Sequence, residues 1–157
     1  MPGSVKAKPD EYATLTPYLS VRGAADAIEF YKKAFGAQER GRMLGPDGKV
    51  AHAELVIGDS VLMLSDESPE MGSTSPQALG GSPVTFVLYV DDVDKAFPRA
   101  LAAGGTQLSP VETMFYGDRA GSLTDPFGHR WMLQTHVEDV SMEEMQRRME
   151  AMASGAH

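Results

Sequence analysis

The sequence of 157 residues is 42% hydrophobic and 23% charged, which suffices to bury the core of one domain. Its net charge of −8 argues against a nucleic-acid-binding surface, no apolar run reaches the roughly 20 residues of a membrane span, and the N-terminus lacks the apolar core of a signal peptide. The absence of cysteine excludes thiol catalysis and fits a reducing compartment. We therefore expect a cytoplasmic domain whose partners include neither nucleic acid nor membrane.

After an N-terminal extension, residues 1–13, the chain predicts a strand followed by a helix. Tyr18 to Val21 is a short β-type run. Apolar residues then recur at the spacing of a helix that packs on a sheet, namely Ala24, Ile28, Tyr31 and Phe35. Gly36 stands where a left-handed residue would end this helix, because glycine adopts positive φ without a Cβ clash.

Extended sequence follows the first helix. Val50 to Ile57, the turn Gly58-Asp59 and Ser60 to Ser65 together predict a β-hairpin. Residues 67–82, which are rich in Ser, Gly and Pro, predict a linker that is long enough to cover a site.

The second half of the chain repeats the first. Residues 88–107 align without a gap on residues 19–38, at an offset of 69 residues. The identical pairs are Leu19/Leu88, Val21/Val90, Ala27/Ala96, Ala34/Ala103, Gly36/Gly105 and Gln38/Gln107. The repeat predicts a strand over Val84 to Val90 and a helix that ends at Gly105. Pro98 lies inside that helix and predicts a bent or tightened start.

A second hairpin and a final helix complete the pattern. The hairpin is predicted over Ala120 to Thr124, Asp125 to Gly128 and His129 to Gln134. Within residues 138–157, Ser141 and Glu144 have the spacing of a capping box. Methionines recur at helical spacing in this segment, at Met142, Met145, Met149 and Met152. We expect this stripe to dock on the domain or on a second subunit, and a functional methionine surface is the alternative.

These elements predict an α+β fold. Each half is predicted as strand, helix and further strands, so the chain is interpreted as two tandem βαβββ modules. The modules comprise residues 14–66 and 83–137 and precede the C-terminal helix.

Several strings carry a family resemblance. Ala27 to Tyr31 followed by Phe35-Gly36, and the turn Asp125 to His129 (DPFGH), resemble the first helix and the last turn of the vicinal oxygen chelate superfamily. This superfamily includes glyoxalases, bleomycin-resistance proteins and dioxygenases. The strings GKVAHAELVIGDSVLMLSD and GDRAGSLTDPFGHRW resemble its PhnB-like branch. The resemblance covers residues 14–137 and implies that the two modules form a cupped mixed sheet that encloses a cavity.

The same resemblance implies four metal ligands, usually His and Glu, at equivalent positions of the two modules. This chain has Thr16 and Thr85 at the first pair of positions and Met63 and Met132 at the second pair. Hydroxyl and thioether groups are poor ligands for the ions concerned. We therefore expect a cavity without a metal ion and without another cofactor, lined in part by these four residues.

His52 and Glu54 are the candidates for chemistry in the first module. They are two residues apart on a strand and so share one face, and the two-residue turn places Glu54 opposite Met63. If Met63 faces the cavity, the imidazole and the carboxylate do too, and they could act as general acid and base. A solvent-exposed polar strand face is the alternative.

Candidates in the second module are Tyr116, Arg119 and Trp131. Arg119 could bind a carboxylate or phosphate, and the two aromatic residues could form a wall of the cavity. The alternatives are core packing for Trp131 and an ion pair with Asp118 or another nearby acid for Arg119. His129 and His136 are both expected at the surface.

The leading functional hypothesis is a metal-free homodimeric protein that binds a small organic ligand in its cavity, in the manner of bleomycin-resistance relatives. A lyase or isomerase of the glyoxalase type is the alternative, with His52 and Glu54 as acid and base or as unorthodox metal ligands. A structural or regulatory partner protein is a third hypothesis.

Overall fold

A computed structural model describes residues 4–155, and the chain divides into two compact units between Ser82 and Pro83. The first unit contains a four-stranded sheet of order β1-β4-β3-β2, in which β1 is parallel to β4 and the other pairs are antiparallel. Its elements are β1 (Tyr18–Val21), α1 (Ala24–Phe35), β2 (Gln38–Leu44), β3 (Val50–Ile57) and β4 (Ser60–Asp66).

One face of this sheet packs on α1, and the opposite face carries most of its polar side chains. Apolar side chains alternate toward the helix and are buried at Leu19, Val21, Ala53, Leu55, Leu62 and Leu64. The residues between them point the opposite way, and we call them the open face: Tyr18, Ser20, His52, Glu54, Met63 and Ser65. As predicted, α1 ends at Gly36, which has φ of 69°. The sheet therefore presents one polar surface on which a site can form.

The segment after β4 is predicted as an irregular linker, and the structure adds two short helices to it. A 3₁₀ turn spans Pro69–Met71, and α2 spans Pro76–Leu79. Glu67 fastens the start of α2, because its carboxylate accepts hydrogen bonds from the hydroxyl and the amide of Ser75 at 2.8 and 3.2 Å. This segment is consequently folded against the edge of the first sheet.

The second unit repeats the topology with sheet order β5-β8-β7-β6. Its elements are β5 (Thr85–Tyr89), α3 (Val93–Ala103), β6 (Thr106–Thr113), β7 (Asp118–Thr124), β8 (Arg130–His136) and α4 (Met142–Ala153). The predicted α+β fold of two βαβββ modules with a C-terminal helix is thus confirmed. Among residues 4–155, no helix combines the length and hydropathy that a membrane span requires.

The end of α3 differs from its prediction by one residue. Gly104, with φ of 131°, takes the position after the helix, and Gly105 has no positive φ. A Cβ on Gly105 would lie 3.1 Å from the carbonyl oxygen of Ala100 and 3.2 Å from Leu123. Gly105 is therefore explained by close packing of the chain on the sheet.

Helix α4 begins at its predicted cap, since the Ser141 hydroxyl accepts a hydrogen bond from the Glu144 amide at 3.1 Å. Its methionine stripe behaves differently from the expectation of docking on the domain. Met142, Met149 and Met152 are 79%, 50% and 58% exposed. These three side chains are at least half exposed among residues 4–155, so docking on a second subunit stays a prediction.

Candidate functional site

A chain of hydrogen bonds crosses the open face of the first sheet. The Tyr18 hydroxyl lies 3.0 Å from Nδ1 of His52, and Nε2 of His52 lies 2.9 Å from Oε2 of Glu54. The rings of Tyr18 and His52 are in contact, with centroids 5.3 Å apart. Both nitrogens of the imidazole are therefore engaged, and the ring orientation is determined by one partner on each side.

Strand register brings these three residues together. The β3–β4 hairpin pairs Ile57 with Ser60 and Glu54 with Met63, as predicted from its two-residue turn. The parallel β1–β4 pairing then sets Tyr18 beside Met63. Sequence reasoning did not single out Tyr18, although its place one residue before Leu19 on a half-buried strand puts it on the face opposite the core.

Two further residues converge on the Glu54 carboxylate and were also missed. The Tyr12 hydroxyl donates to both carboxylate oxygens at 2.8 Å. Arg40, from β2, binds Oε1 through Nε at 3.1 Å and also through Nη2. The Arg40 guanidinium lies over the Tyr12 ring at 4.7 Å, which is a cation–π contact. Neither residue carries a motif that would indicate this convergence.

These contacts determine the charge of Glu54. Burial by itself would raise the pKa of this carboxyl group, but hydrogen bonds from His52, Tyr12 and Arg40 outweigh burial and lower the pKa to about 2. The bond to Glu54 in turn raises the pKa of the Tyr12 phenol. At neutral pH the carboxylate is ionised and occupied by three donors, so it orients His52 and is a poor general base.

Two cavities adjoin this hydrogen-bonded chain. The larger, of about 720 Å³, is lined by Tyr18, Ser20 and Ser65 from the sheet, by residues 45–47 and 49–51, and by residues 66–73. The smaller, of about 310 Å³, lies at the Glu54 end of this series of hydrogen bonds. It is lined by Arg40, Gly41, Arg42, Met43, His52 and Glu54. Tyr18 therefore faces one cavity and His52 the other.

Two carboxylates in the wall of the larger cavity form hydrogen bonds and an ion pair within the fold. Asp66 accepts the backbone amides of Gly23, Ala24 and Val50 at 3.0, 2.8 and 2.8 Å. Glu67 pairs with Arg22 at 2.6 Å, and this ion pair with the Ser75 hydrogen bonds lowers the pKa of Glu67 to about 2. Asp66 therefore links the start of α1 to the start of β3, and Glu67 holds the segment after β4 in place. Both carboxylates add negative charge to the wall.

In the second unit, Trp131 is a core residue and not part of a cavity wall. It is 3% exposed, its ring contacts Phe86 at 5.0 Å, and its Nε1 donates to Asp125 at 2.9 Å. Met132, the next residue, points to the opposite face, where it pairs with Val87 and Ser122. The ligand-binding assignment of Trp131 is therefore wrong, because strand alternation turns its side chain toward the helix.

Arg119 forms the ion pair that was the alternative to ligand binding. Its guanidinium makes two hydrogen bonds of 2.9 Å to Asp94 of α3, and a third of 3.2 Å to Thr113. The partner is thus a helix residue and not the neighbouring Asp118. Three of its five donors are thus used on the helix side of the sheet.

The remaining predicted residues make other contacts. Tyr116 is half-buried in the β6–β7 turn, where burial and the nearby Asp118 and Tyr89 raise the pKa of its phenol. The Thr16 hydroxyl donates to the Ala13 carbonyl at 3.0 Å, before β1 begins. Thr85 is exposed at the start of β5, on the same face as Met132. Within the first unit, the structure therefore groups His52, Glu54 and Met63 on one face of the sheet.

The two histidines of the second unit differ from each other. His129 is buried beside Phe86, so its predicted surface position is wrong. His136 is exposed as expected and bridges two carboxylates, with Nδ1 at 2.7 Å from Asp118 and Nε2 at 2.7 Å from Asp139. These two hydrogen bonds, to Asp139 first and to Asp118 second, raise the pKa of His136.

The donor set does not fit the four-ligand metal site that the resemblance implies. Thr16 is bonded to backbone, Met63 offers only a thioether, and Glu54 and His52 are saturated by each other and by Tyr12, Arg40 and Tyr18. Between residues 4 and 155, no group of three or more His, Asp or Glu side chains is arranged to hold a metal ion.

Comparison with known proteins gives the family. The model of the Glyoxalase/Bleomycin resistance protein/Dioxygenase superfamily matches residues 11–133. An uncharacterized protein of Mycobacterium tuberculosis is 49% identical over 144 residues, which cover 90% of this chain and 85% of that protein.

Solved structures of other proteins have the same fold. The crystal structure of an Arabidopsis thaliana gene product has a TM-score of 0.64 at 32% identity and covers 78% of this chain and 98% of its own. A PhnB protein from Bacillus cereus has the same fold, with a TM-score of 0.61 at 20% identity and coverage of 78% and 99%. The chain belongs to the Glyoxalase/Bleomycin resistance protein/Dioxygenase superfamily, also known as the vicinal oxygen chelate superfamily.

Proposed function

We propose that this protein binds a small organic ligand, without a metal ion, in the larger cavity at the open face of the first sheet. The observation that carries the proposal is the position of Tyr18, whose hydroxyl ends the hydrogen-bonded chain from Glu54 and whose ring lines that cavity. Ligand sites in proteins are concave and contain a few oriented polar groups on a larger nonpolar lining.

The size of the cavity supports this proposal. Its volume of about 720 Å³ lies within the range of roughly 300–1,000 Å³ that is typical of sites for drug-sized molecules. The lining combines hydroxyl groups of Ser20, Ser65 and Ser73 with the apolar Met71 and Pro69. A ligand with both an apolar body and polar substituents matches this lining.

An enzyme of the lyase or isomerase type is the second candidate. The Tyr18–His52–Glu54 geometry favours it, because a base oriented by a carboxylate and bonded to a hydroxyl is a common catalytic arrangement. Glu54 would serve only to orient His52, since it is ionised and fully bonded. Turnover of methylglyoxal–glutathione adducts that is lost in His52→Ala would favour this candidate over binding alone.

The test is a panel of small organic molecules measured by thermal shift and isothermal titration, with and without chelator. We expect at least one ligand whose affinity is unchanged by chelator. Ser73→Trp, which fills the cavity, should abolish binding, whereas Ser60→Trp, at an exposed serine outside the cavity, should retain it. Binding that chelator abolishes, or that Ser73→Trp leaves intact, contradicts the proposal.

A further inference from the structure

We infer that Tyr18 is a hydrogen-bond acceptor that makes the larger cavity selective for organic cations bearing an N–H donor, such as primary ammonium or amidinium groups. The inference rests on the proposed binding function and names its ligand class. Of the three residues in the hydrogen-bonded chain, only Tyr18 lines this cavity, and its side chain is half exposed there. Whether the Tyr18 hydroxyl donates or accepts a hydrogen bond therefore determines which ligand groups the cavity can recognise.

The ionised Glu54 determines which atom donates in each hydrogen bond between Glu54, His52 and Tyr18. A carboxylate only accepts hydrogen bonds, so Nε2 of His52 carries the proton that lies between them. In the neutral imidazole Nδ1 then lacks a proton and accepts the hydrogen bond of the Tyr18 hydroxyl at 3.0 Å. The Tyr18 hydroxyl thus donates its proton to His52, and its oxygen presents only lone pairs to the cavity. A ligand must supply the donor.

The charges in the cavity wall favour a cationic donor over a neutral one. Four carboxylates line this wall, at Asp47, Asp66, Glu67 and Glu70. Lys49 is the one basic residue of the described lining, and Arg22, which lies outside it, compensates Glu67. The wall remains negative, so an anionic ligand is repelled and an ammonium group is attracted.

Glu54 acts here as a positioning residue through His52. Arg40 and Tyr12 also donate hydrogen bonds to its carboxylate and keep it ionised. Replacement of Glu54 by Gln removes the obligate acceptor, because an amide can also donate. The imidazole can then adopt the other tautomer, and Tyr18 is free to point its proton into the cavity. Selectivity should fall although Tyr18 itself is unchanged.

Matched ligands test the inference without relying on a variant. Benzylammonium and benzyltrimethylammonium carry the same charge and ring, but only the former has N–H donors, and benzoate reverses the charge. In isothermal titration of the full-length protein we expect benzylammonium to bind at least about 10-fold more tightly than the trimethyl compound, which is the order of one charge-assisted hydrogen bond. Benzoate should show no binding.

Variants then assign the effect to Tyr18. Tyr18→Phe keeps the ring, and we expect it to bind both cations equally. Tyr89→Phe, at an exposed tyrosine of the second unit, should retain the preference. Equal affinities in the unaltered protein, or a preference that survives Tyr18→Phe, would overturn the inference while leaving ligand binding in place. No binding of benzylammonium, with another molecule of the panel bound, rejects the ligand class; no binding of any molecule rejects the proposed function.

Discussion

Nε2 of His52 lies 2.9 Å from the carboxylate of Glu54, its neighbour two positions along β3. Glu54 also accepts hydrogen bonds from Tyr12 and Arg40, so its replacement by Gln removes one acceptor oxygen and the ion pair with Arg40. We expect Glu54→Gln to lower the free energy of unfolding by about 1–3 kcal/mol in urea titration. Glu29→Gln, which removes an exposed carboxylate paired with Lys32, is the control and should cost less than about 0.5 kcal/mol.

The same substitution should have a pH-dependent effect. The pKa of Glu54 is about 2 in the folded protein and 4.5 for an unperturbed group, so its contribution to stability is present above pH 4.5 and is lost as the pH falls toward 2. The stability difference between the unaltered protein and Glu54→Gln should therefore shrink over this interval. A difference that stays constant down to pH 2 would show that Glu54 is not held as a carboxylate.

The contribution of His136 to stability should have the opposite pH dependence to that of Glu54. Its pKa is raised above 6.5 by Asp139 and Asp118, so the contribution is fully present below pH 6.5 and is lost as the pH rises through the higher folded value. We expect the ring protons of His136 to titrate above pH 6.5 by NMR. We also expect His136→Gln to destabilise the protein more at slightly acidic than at alkaline pH. A midpoint below 6.5 would contradict the bridged geometry.

Gly117 should tolerate no side chain. It has φ of 101°, and a Cβ would lie 2.1 Å from the carbonyl oxygen of Glu138, on the segment that leads to α4. We expect Gly117→Ala to cost about 3 kcal/mol or more, since left-handed strain of about 1–2 kcal/mol adds to the clash. Gly48→Ala is the matched control: Gly48 has φ of 81° and nothing within 4 Å of a Cβ, so only the strain should be measured.

The single tryptophan offers a direct test of its core position. Trp131 is buried and bonded to Asp125, so its fluorescence should be blue-shifted and resist quenching by acrylamide or iodide. Trp131→Phe should lower stability by about 1–3 kcal/mol, because the Asp125 carboxylate loses a buried donor. Quenching as efficient as that of a solvent-exposed tryptophan would instead support a place in a cavity wall.

Much of the fold could be predicted because its signals are local. The apolar stripe of α1 and the glycine that ends it lie within one helix, and the two-residue turn at Gly58-Asp59 suffices to pair Glu54 with Met63. The misplacement of Trp131 has a local cause as well. A shift of one residue on a strand exchanges the buried face for the open one, and no nearby feature of β8 distinguished the two.

The sequence by itself determined two βαβββ modules and a shared strand face for His52 and Glu54, because periodicity and turn length act over a few residues. Only the tertiary structure decided that Tyr18, Tyr12 and Arg40 meet this pair. The parallel pairing of β1 with β4 and the placement of the N-terminal segment join residues that are far apart in the chain. Such contacts depend on how whole elements pack, and that packing has no signature in the local sequence.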